Sequence, residues 1–174
     1  MTEILTPRLR LRRATTDDLD DLHAMLGDPV AMRYWSTLPH DDIAQTKAWL
    51  ADMIGAPPAL ADDYVVEHQG RVIGKAGCWR LPEIGFIFHP AYWGQGFAYE
   101  ALTAVIARLF ASHPIPAIRA DVDPRNAASL KLLGRLGFCE TSRASRTWKI
   151  GDEWCDSVYL ERKRGPADSE PSQR

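Results

Sequence analysis

Between Glu83 and Val122 the sequence sets out four pieces in a fixed order: "EIGFIF", then "HPAYWGQG", then a helical run, then "AIRADV". The first and last are rich in β-branched, aromatic and small apolar residues, and the second is broken by proline and glycine. The helical run places Ala98, Leu102, Val105, Ile106, Leu109 and Phe110 at three- and four-residue spacing, a sustained buried stripe ending near Ser112-His113-Pro114. Strand, loop, helix, strand is the crossover that joins two parallel strands, so this chain must build a sheet with helix packed on it. Its 174 residues, 45% apolar and 25% charged, supply one well-buried core and too little material for two domains.

The flanking segments extend the same sheet. Arg8, Arg10 and Arg12 alternate with Leu9 and Leu11, the period-two signature of a strand with one solvated face. Thr15 or Thr16 is placed to cap a helix through "DDLDDLHAML", which Gly27-Asp28-Pro29 stops. A second helix is expected over 41–54, followed by a proline-bearing loop, "GAPPALADD". "DYVVEHQ" and "RVIGKAGCW" flank Gln69-Gly70-Arg71 as a hairpin. Asn126 stands where a helix should start, with Leu130, Leu133 and Leu136 on its buried stripe and Gly137 at its end. "SRTWKI" and "DSVYLERK" flank Gly151-Asp152-Glu153-Trp154 as an antiparallel pair. The class is therefore α/β, a mixed sheet with helices on both faces, in a single domain over 1–164. Residues 165–174 hold no apolar residue larger than proline or alanine and read as a flexible tail.

Several functional classes are disfavoured. A formal charge of -2 and a pI near 6.2 give no basic surface for neutralising phosphates, so no nucleic-acid partner is expected. Cys78, Cys139 and Cys155 form no C-x-x-C pair, which argues against a disulfide framework and a metal site, and for a reducing, cytoplasmic setting. No apolar run approaches the roughly eighteen residues of a membrane span, and the N-terminus has no signal-peptide pattern. An edge strand in the last hairpin offers a surface on which a homodimer could form.

The glycines at 94 and 96 fall where a strand stops and a helix begins. A helix N-terminus presents unpaired backbone N–H groups and a partial positive charge, an anion site when no side chain blocks it. A tight turn needs the same glycines, so the spacing alone leaves both readings open. No Lys-Ser or Lys-Thr follows the loop, which removes the nucleotide P-loop. Tyr99 sits where the dinucleotide pattern needs a small residue, which argues against NAD.

"EIGFIFHPAYWGQGFAYEAL" and, about thirty residues later, "NAASLKLLGRLGF" together resemble the GNAT superfamily of acetyl-CoA-dependent N-acetyltransferases. "TPRLRLRRATTDDLDDL", "AMRYW" and "GDEWCDSVYL" are similar to the branch that holds the ribosomal-protein alanine N-acetyltransferases. In the family pattern Q/R-x-x-G-x-G/A, Gly96 and Ala98 match the last two fixed positions, while Trp93 replaces the usual Gln or Arg. The resemblance implies a mostly antiparallel mixed sheet with one splayed parallel pair. It implies that backbone groups of Gly94, Gln95, Gly96, Phe97 and Ala98 hold the pyrophosphate of acetyl-CoA. Main-chain groups of Ile87, Phe88 and His89 would face pantetheine, and Asn126 would add a hydrogen bond to CoA beside its capping role. Trp93 reads equally well as core packing, and His89 as a strand-end residue. No metal is implied.

For the transfer, the resemblance makes Glu83 the general base, acting directly or through water; a solvent-facing strand-start carboxylate is the competing reading. The family commonly keeps a tyrosine acid four residues beyond the N-x-x-A/S motif, and here that position is Leu133. Ser129 is the remaining hydroxyl, as a CoA contact and candidate acid, or as an ordinary first-turn serine. Thiols ionise near about 8.5, so a leaving thiolate needs little help. The segment after the first helix and the terminal hairpin are expected to shape the acceptor pocket, through Arg33, Tyr34, Trp35 and Trp148, with Arg146 and Trp154 nearby. The expected activity is acetyl transfer to a primary amine of a protein N-terminus or small molecule. A CoA-binding sensor or interaction module without turnover is the alternative.

Overall fold

The computed structural model describes residues 3–168. Eight strands form one sheet: β1 (Ile4–Leu5), β2 (Arg10–Arg12), β3 (Asp62–His68), β4 (Arg71–Arg80), β5 (Glu83–Phe88), β6 (Ala117–Val122), β7 (Cys139–Ile150) and β8 (Glu153–Lys163). Their order is β1-β2-β3-β4-β5-β6-β8-β7. Four helices accompany them: α1 (Leu19–Leu26), α2 (Ile43–Gly55), α3 (Phe97–Ser112) and α4 (Ala127–Arg135). Every neighbouring pair is antiparallel except β5 and β6, the pair that α3 joins.

The two faces of the sheet are buried by different helices. On one, Leu102, Ile106 and Leu109 of α3 and Leu133 of α4 pack with Tyr64, Ile73, Ala76 and Ile118. On the other, Leu22, Met25 and Leu26 of α1 and Leu50 of α2 pack with Val65, Val72 and Ile87. Each fully buried aliphatic side chain contributes roughly 1.5–3 kcal/mol of transfer free energy, so the two clusters together hold the sheet against chain entropy.

β5 and β6 share a single register pair, Glu83 with Arg119, and then part. The parallel ladder is thus almost all missing, and a slot opens between the strands on the side toward Phe88. That is the splay the resemblance implies.

Local details differ from the sequence reading in several places. α2 starts at Ile43 because Asp42 Oδ1 accepts the Ala44 N–H at 2.9 Å. Ahead of α1, Thr15 donates its N–H to Asp18 Oδ2 at 2.7 Å, while its hydroxyl reaches the same oxygen only at 3.3 Å. β7 begins at Cys139, well before "SRTWKI", and accommodates the extra length in a bulge between Ala144 and Trp148. The arginine run is not uniformly solvated: Arg12 donates to both oxygens of Asp18 at 2.7 and 2.9 Å and to Glu67 at 2.8 Å. Within the segment read as a tail, Pro166–Asp168 form a short 3-10 turn and Asp168 accepts from Arg162 at 3.1 Å. The rest of that expectation, 169–174, lies outside the described residues. Among the described residues no helix is long and apolar enough to cross a membrane.

Candidate active site

The chain leaves β5 through a 3-10 turn, Pro90–Tyr92, and reaches α3 over the two glycines. Gly94 (φ 73°) and Gly96 (φ 82°) both adopt the left-handed conformation that a side-chain-bearing residue resists. Gly96 is the N-cap of α3, and the Glu100 N–H donates to its carbonyl at 3.0 Å. The amides ahead of Glu100, in the first turn, have no intrahelical acceptor, so they present donors and the positive end of a sixteen-residue helix at an unobstructed surface.

This loop is fastened from below. Arg8 donates through Nη1 to the Gln95 carbonyl at 2.9 Å, pairs through Nε with Glu100 at 2.7 Å, and lies 4.4 Å from the Phe97 ring centroid. Thr6 Oγ1 donates to the same Glu100 at 2.6 Å. Burial pushes the Glu100 carboxyl up, but these donors outweigh it and hold it below its ordinary range. Phe97 is buried among His68 and Tyr92, and Ala98 packs on the core. Gln95 closes the loop by donating from Nε2 to the Ala91 carbonyl at 3.1 Å. Trp93 is half-exposed, and its indole N–H donates to the Phe88 carbonyl at 2.8 Å. It clips the loop to the end of β5 rather than filling the core.

The main-chain assignment along β5 needs correction. The His89 N–H donates to Ile73 on the β4 side at 2.9 Å, whereas the Pro82 carbonyl accepts from Arg119 on the β6 side at 3.0 Å. Main-chain groups alternate sides along a strand, so Ile87 and His89 face β4 while Phe86 and Phe88 face the slot. Of the three residues expected to meet pantetheine by main chain, only Phe88 is so oriented, and its carbonyl is taken by Trp93. Ile87 is buried in the core, and His89 Nδ1 accepts the Ala91 N–H at 3.2 Å as the cap of the turn.

A cavity of about 510 Å³ occupies the divergence of β5 and β6. Glu83, Gly85 and Phe86 line it from β5, Asp121 and Val122 from β6, and Asn126, Ser129 and Leu133 from the start of α4. Asn126 Oδ1 accepts the Ser129 N–H at 3.1 Å, which makes it the cap the sequence indicates. The Ser129 hydroxyl makes no hydrogen bond among the described residues, and Leu133 walls the cavity with a fully buried side chain. Glu83 has only a distant ion pair, 3.7 Å to the largely exposed Arg80. A pair of that length constrains a carboxylate little, so Glu83 keeps its lone pairs for the cavity.

Of the residues expected at the acceptor pocket, Tyr34, Trp35 and Trp148 line the cavity, and Trp148 Nε1 donates to Asp121 Oδ2 at 2.9 Å. Arg33 does not: its guanidinium stacks 5.2 Å from the Tyr34 ring and is exposed. Arg146 and Trp154 stack on each other at 5.1 Å and also leave the cavity to others. Trp49, Asp52 and Met53 of α2, and Trp79 of β4, are lining residues that the sequence reading missed.

It also missed a buried ion pair. Lys75 Nζ lies 2.7 Å from Asp63 Oδ2, with side chains 2% and 8% exposed, and 5.9 Å from the Trp35 ring centroid. Burial pushes the Asp63 carboxyl up, against the pull of Lys75. A lysine within "RVIGKAGCW" and the doubled aspartate before "YVV" were the available signals. Arg125 pairs with Asp123 at 2.6 Å and with Glu153, tying the β6–α4 turn to the terminal hairpin and holding the Asp123 carboxyl below its ordinary range.

Residues 8–139 match the family model described as an acetyltransferase (GNAT) domain. The chain is 31% identical over 147 residues to an uncharacterized N-acetyltransferase, p20, of Bacillus licheniformis, covering 79% of this chain and 83% of that one. It is 29% identical to the L-methionine sulfoximine/L-methionine sulfone acetyltransferase of Pseudomonas aeruginosa, covering 92% and 98% respectively. A GNAT-family acetyltransferase structure from Bacillus anthracis superposes with a TM-score of 0.82 at 22% identity, covering 97% of this chain and all of that one, and so shares the fold.

Proposed function

The chain belongs to the GNAT acetyltransferase family, and from that premise we propose that it moves an acetyl group from acetyl-CoA directly to a primary amine held between β5 and β6. One observation carries the reading: the single parallel pair of the sheet parts beside an uncapped helix N-terminus, so an anion site and a slot adjoin. A pyrophosphate suits donors that no side chain covers, and the left-handed glycines keep Gln95 to Ala98 in that arrangement. Acetyl-CoA supplies the acetyl group as a thioester; the remaining work falls to the chain.

Phe86 and Phe88 direct main-chain groups into the slot, and the Phe88 N–H is the candidate donor for developing charge on a carbonyl oxygen. Glu83, with no short ion pair, takes the proton of the acceptor amine, directly or through water. That task weighs more for an alkyl ammonium, with pKa about 10.4, than for an α-amine at about 7.7–8.0. Leu133 offers no proton, so the Ser129 hydroxyl is the side-chain donor available to a leaving thiolate. Tyr34, Trp35 and Trp148 shape the acceptor side, which takes the amine of a protein N-terminus or a small molecule. Three thiols without a disulfide fit a reducing cytoplasm, and β7, the exposed edge of the sheet, is where a homodimer would add strands.

The test is acetyl-CoA-dependent thiol release with Glu83→Gln. We expect kcat to fall by about 10²–10⁴-fold with acetyl-CoA affinity retained. An unchanged kcat removes Glu83 as base, and wild type that binds acetyl-CoA yet acetylates no amine points to the sensor reading.

A further inference from the structure

The charges around the cavity are strongly one-sided. Asp52, Asp63, Glu83, Asp121, Asp123 and Asp156 line it, and among the described residues Lys75 is the one cationic side chain that does. Two of these carboxylates are neutralised within the chain: Asp63 by Lys75 at 2.7 Å and Asp123 by Arg125 at 2.6 Å. The other four keep accepting capacity. Asp121 receives only the Trp148 indole N–H at 2.9 Å, and Asp156 only the Arg146 backbone N–H at 2.8 Å. Glu83 has Arg80 at 3.7 Å, and Asp52 has no hydrogen-bonded or ionic partner among the described residues.

The aromatic walls complement that charge. Trp35, Trp49, Trp79 and Trp148 line the same cavity; Trp79 already carries the Arg80 guanidinium 5.0 Å from its ring centroid, whereas Trp148, 43% exposed, leaves its ring open to an incoming group. Indole faces attract ammonium groups, and more so where water is partly excluded. The chain already holds one alkyl ammonium in this manner, since Lys75 lies between the Asp63 carboxylate and the face of Trp35. That internal ammonium is an observation independent of the rim carboxylates, and it shows what these walls accommodate.

We infer that the acceptor is an oligocation: a small amine whose reacting nitrogen is accompanied by at least one further ammonium group and by no nearby carboxylate. The inference rests on reading this cavity as the acceptor site. An α-amino acid would bring a carboxylate into a ring of carboxylates whose lone lining cation is already paired, and like charges at such range repel. An aliphatic polyamine instead spans the rim, with one nitrogen near Glu83 and another at Asp52, Asp121 or Asp156. An amino sugar carries the same chemistry on a ring, so the two sources need separate arms in a test.

The experiment is calorimetric titration of the CoA-loaded protein with spermidine, kanamycin, L-methionine sulfone and an uncharged alanyl peptide amide, repeated with Asp52→Asn. Asp52 is exposed on α2, so the substitution leaves the core intact. We expect an oligocation to bind at least about tenfold more tightly than the amino-acid sulfone, weakened about three- to tenfold by Asp52→Asn and further by added salt. Spermidine bound more tightly than kanamycin identifies the flexible chain, and the reverse identifies the ring-borne amine. Equal or tighter binding of methionine sulfone or the peptide overturns the inference, as does oligocation affinity indifferent to both Asp52→Asn and salt. Failure to bind CoA overturns the transferase reading instead, and titration of the unloaded protein with the same amines then decides this inference alone.

Discussion

Lys75 and Asp63 meet where water is largely excluded, and Gly77 explains how. Asp63 lies opposite Gly77 in the β3–β4 ladder, and Lys75 opposite Val65, so the pair is diagonal. A Cβ at Gly77 would come within 2.6 Å of Asp63 Oδ1, so only glycine leaves the carboxylate its place beside Lys75. Removing one partner strands the other charge in the interior. Lys75→Met should therefore lower unfolding free energy by about 3–5 kcal/mol, and adding Asp63→Leu should recover much of it. Urea midpoints at constant slope measure both, and a Lys75→Met midpoint equal to wild type would refute the pair's importance. The sequence concealed this pair because burial and partner both depend on strand register. Asn126 was legible because its bond to the Ser129 N–H is confined to one turn.

Among elements, the connection between the N-terminal segment and α3 has the clearest consequence. Arg8 precedes β2, yet it bonds the Gln95 carbonyl and Glu100 and covers Phe97, so it fixes the glycine loop from outside the crossover unit. Preorganised donors cost less to order on binding. Arg8→Ala should weaken acetyl-CoA binding about three- to tenfold while an exposed salt bridge of this kind costs under about 1 kcal/mol of stability. Calorimetry alongside thermal unfolding separates the two, and a large fall in Tm with unchanged affinity would reverse the assignment. Periodicity located all four helices and the strands of the crossover, since buried stripes are a local property, but it caught only the second half of β7, whose first half is almost wholly exposed. It read "RLRLRR" as a wet face because the partners of Arg8 and Arg12, at Glu100, Asp18 and Glu67, are supplied by other elements.

For the whole molecule, the crossover from β5 through α3 to β6 decides the class, and the candidate catalytic and acceptor side chains line the cavity where that one parallel pair fails to close. The failure itself has no signature in alternation or spacing; it entered the sequence reading through family resemblance. Of the cavity wall, Tyr34, Trp35 and Trp148 were legible in the sequence, while Trp49 and Trp79 arrive from α2 and β4 only once the sheet is assembled. The central claim is that the N-terminus of α3, bared by its glycines, holds acetyl-CoA. The direct measurement is calorimetric titration of acetyl-CoA into wild type and Gly96→Trp, with circular dichroism establishing that both are folded. Wild type should bind at one site per chain, and binding should be lost in the variant, whose side chain would need a left-handed backbone and would cover the first-turn amides. Folded wild type that fails to bind, or a folded variant that binds as tightly, would contradict that claim.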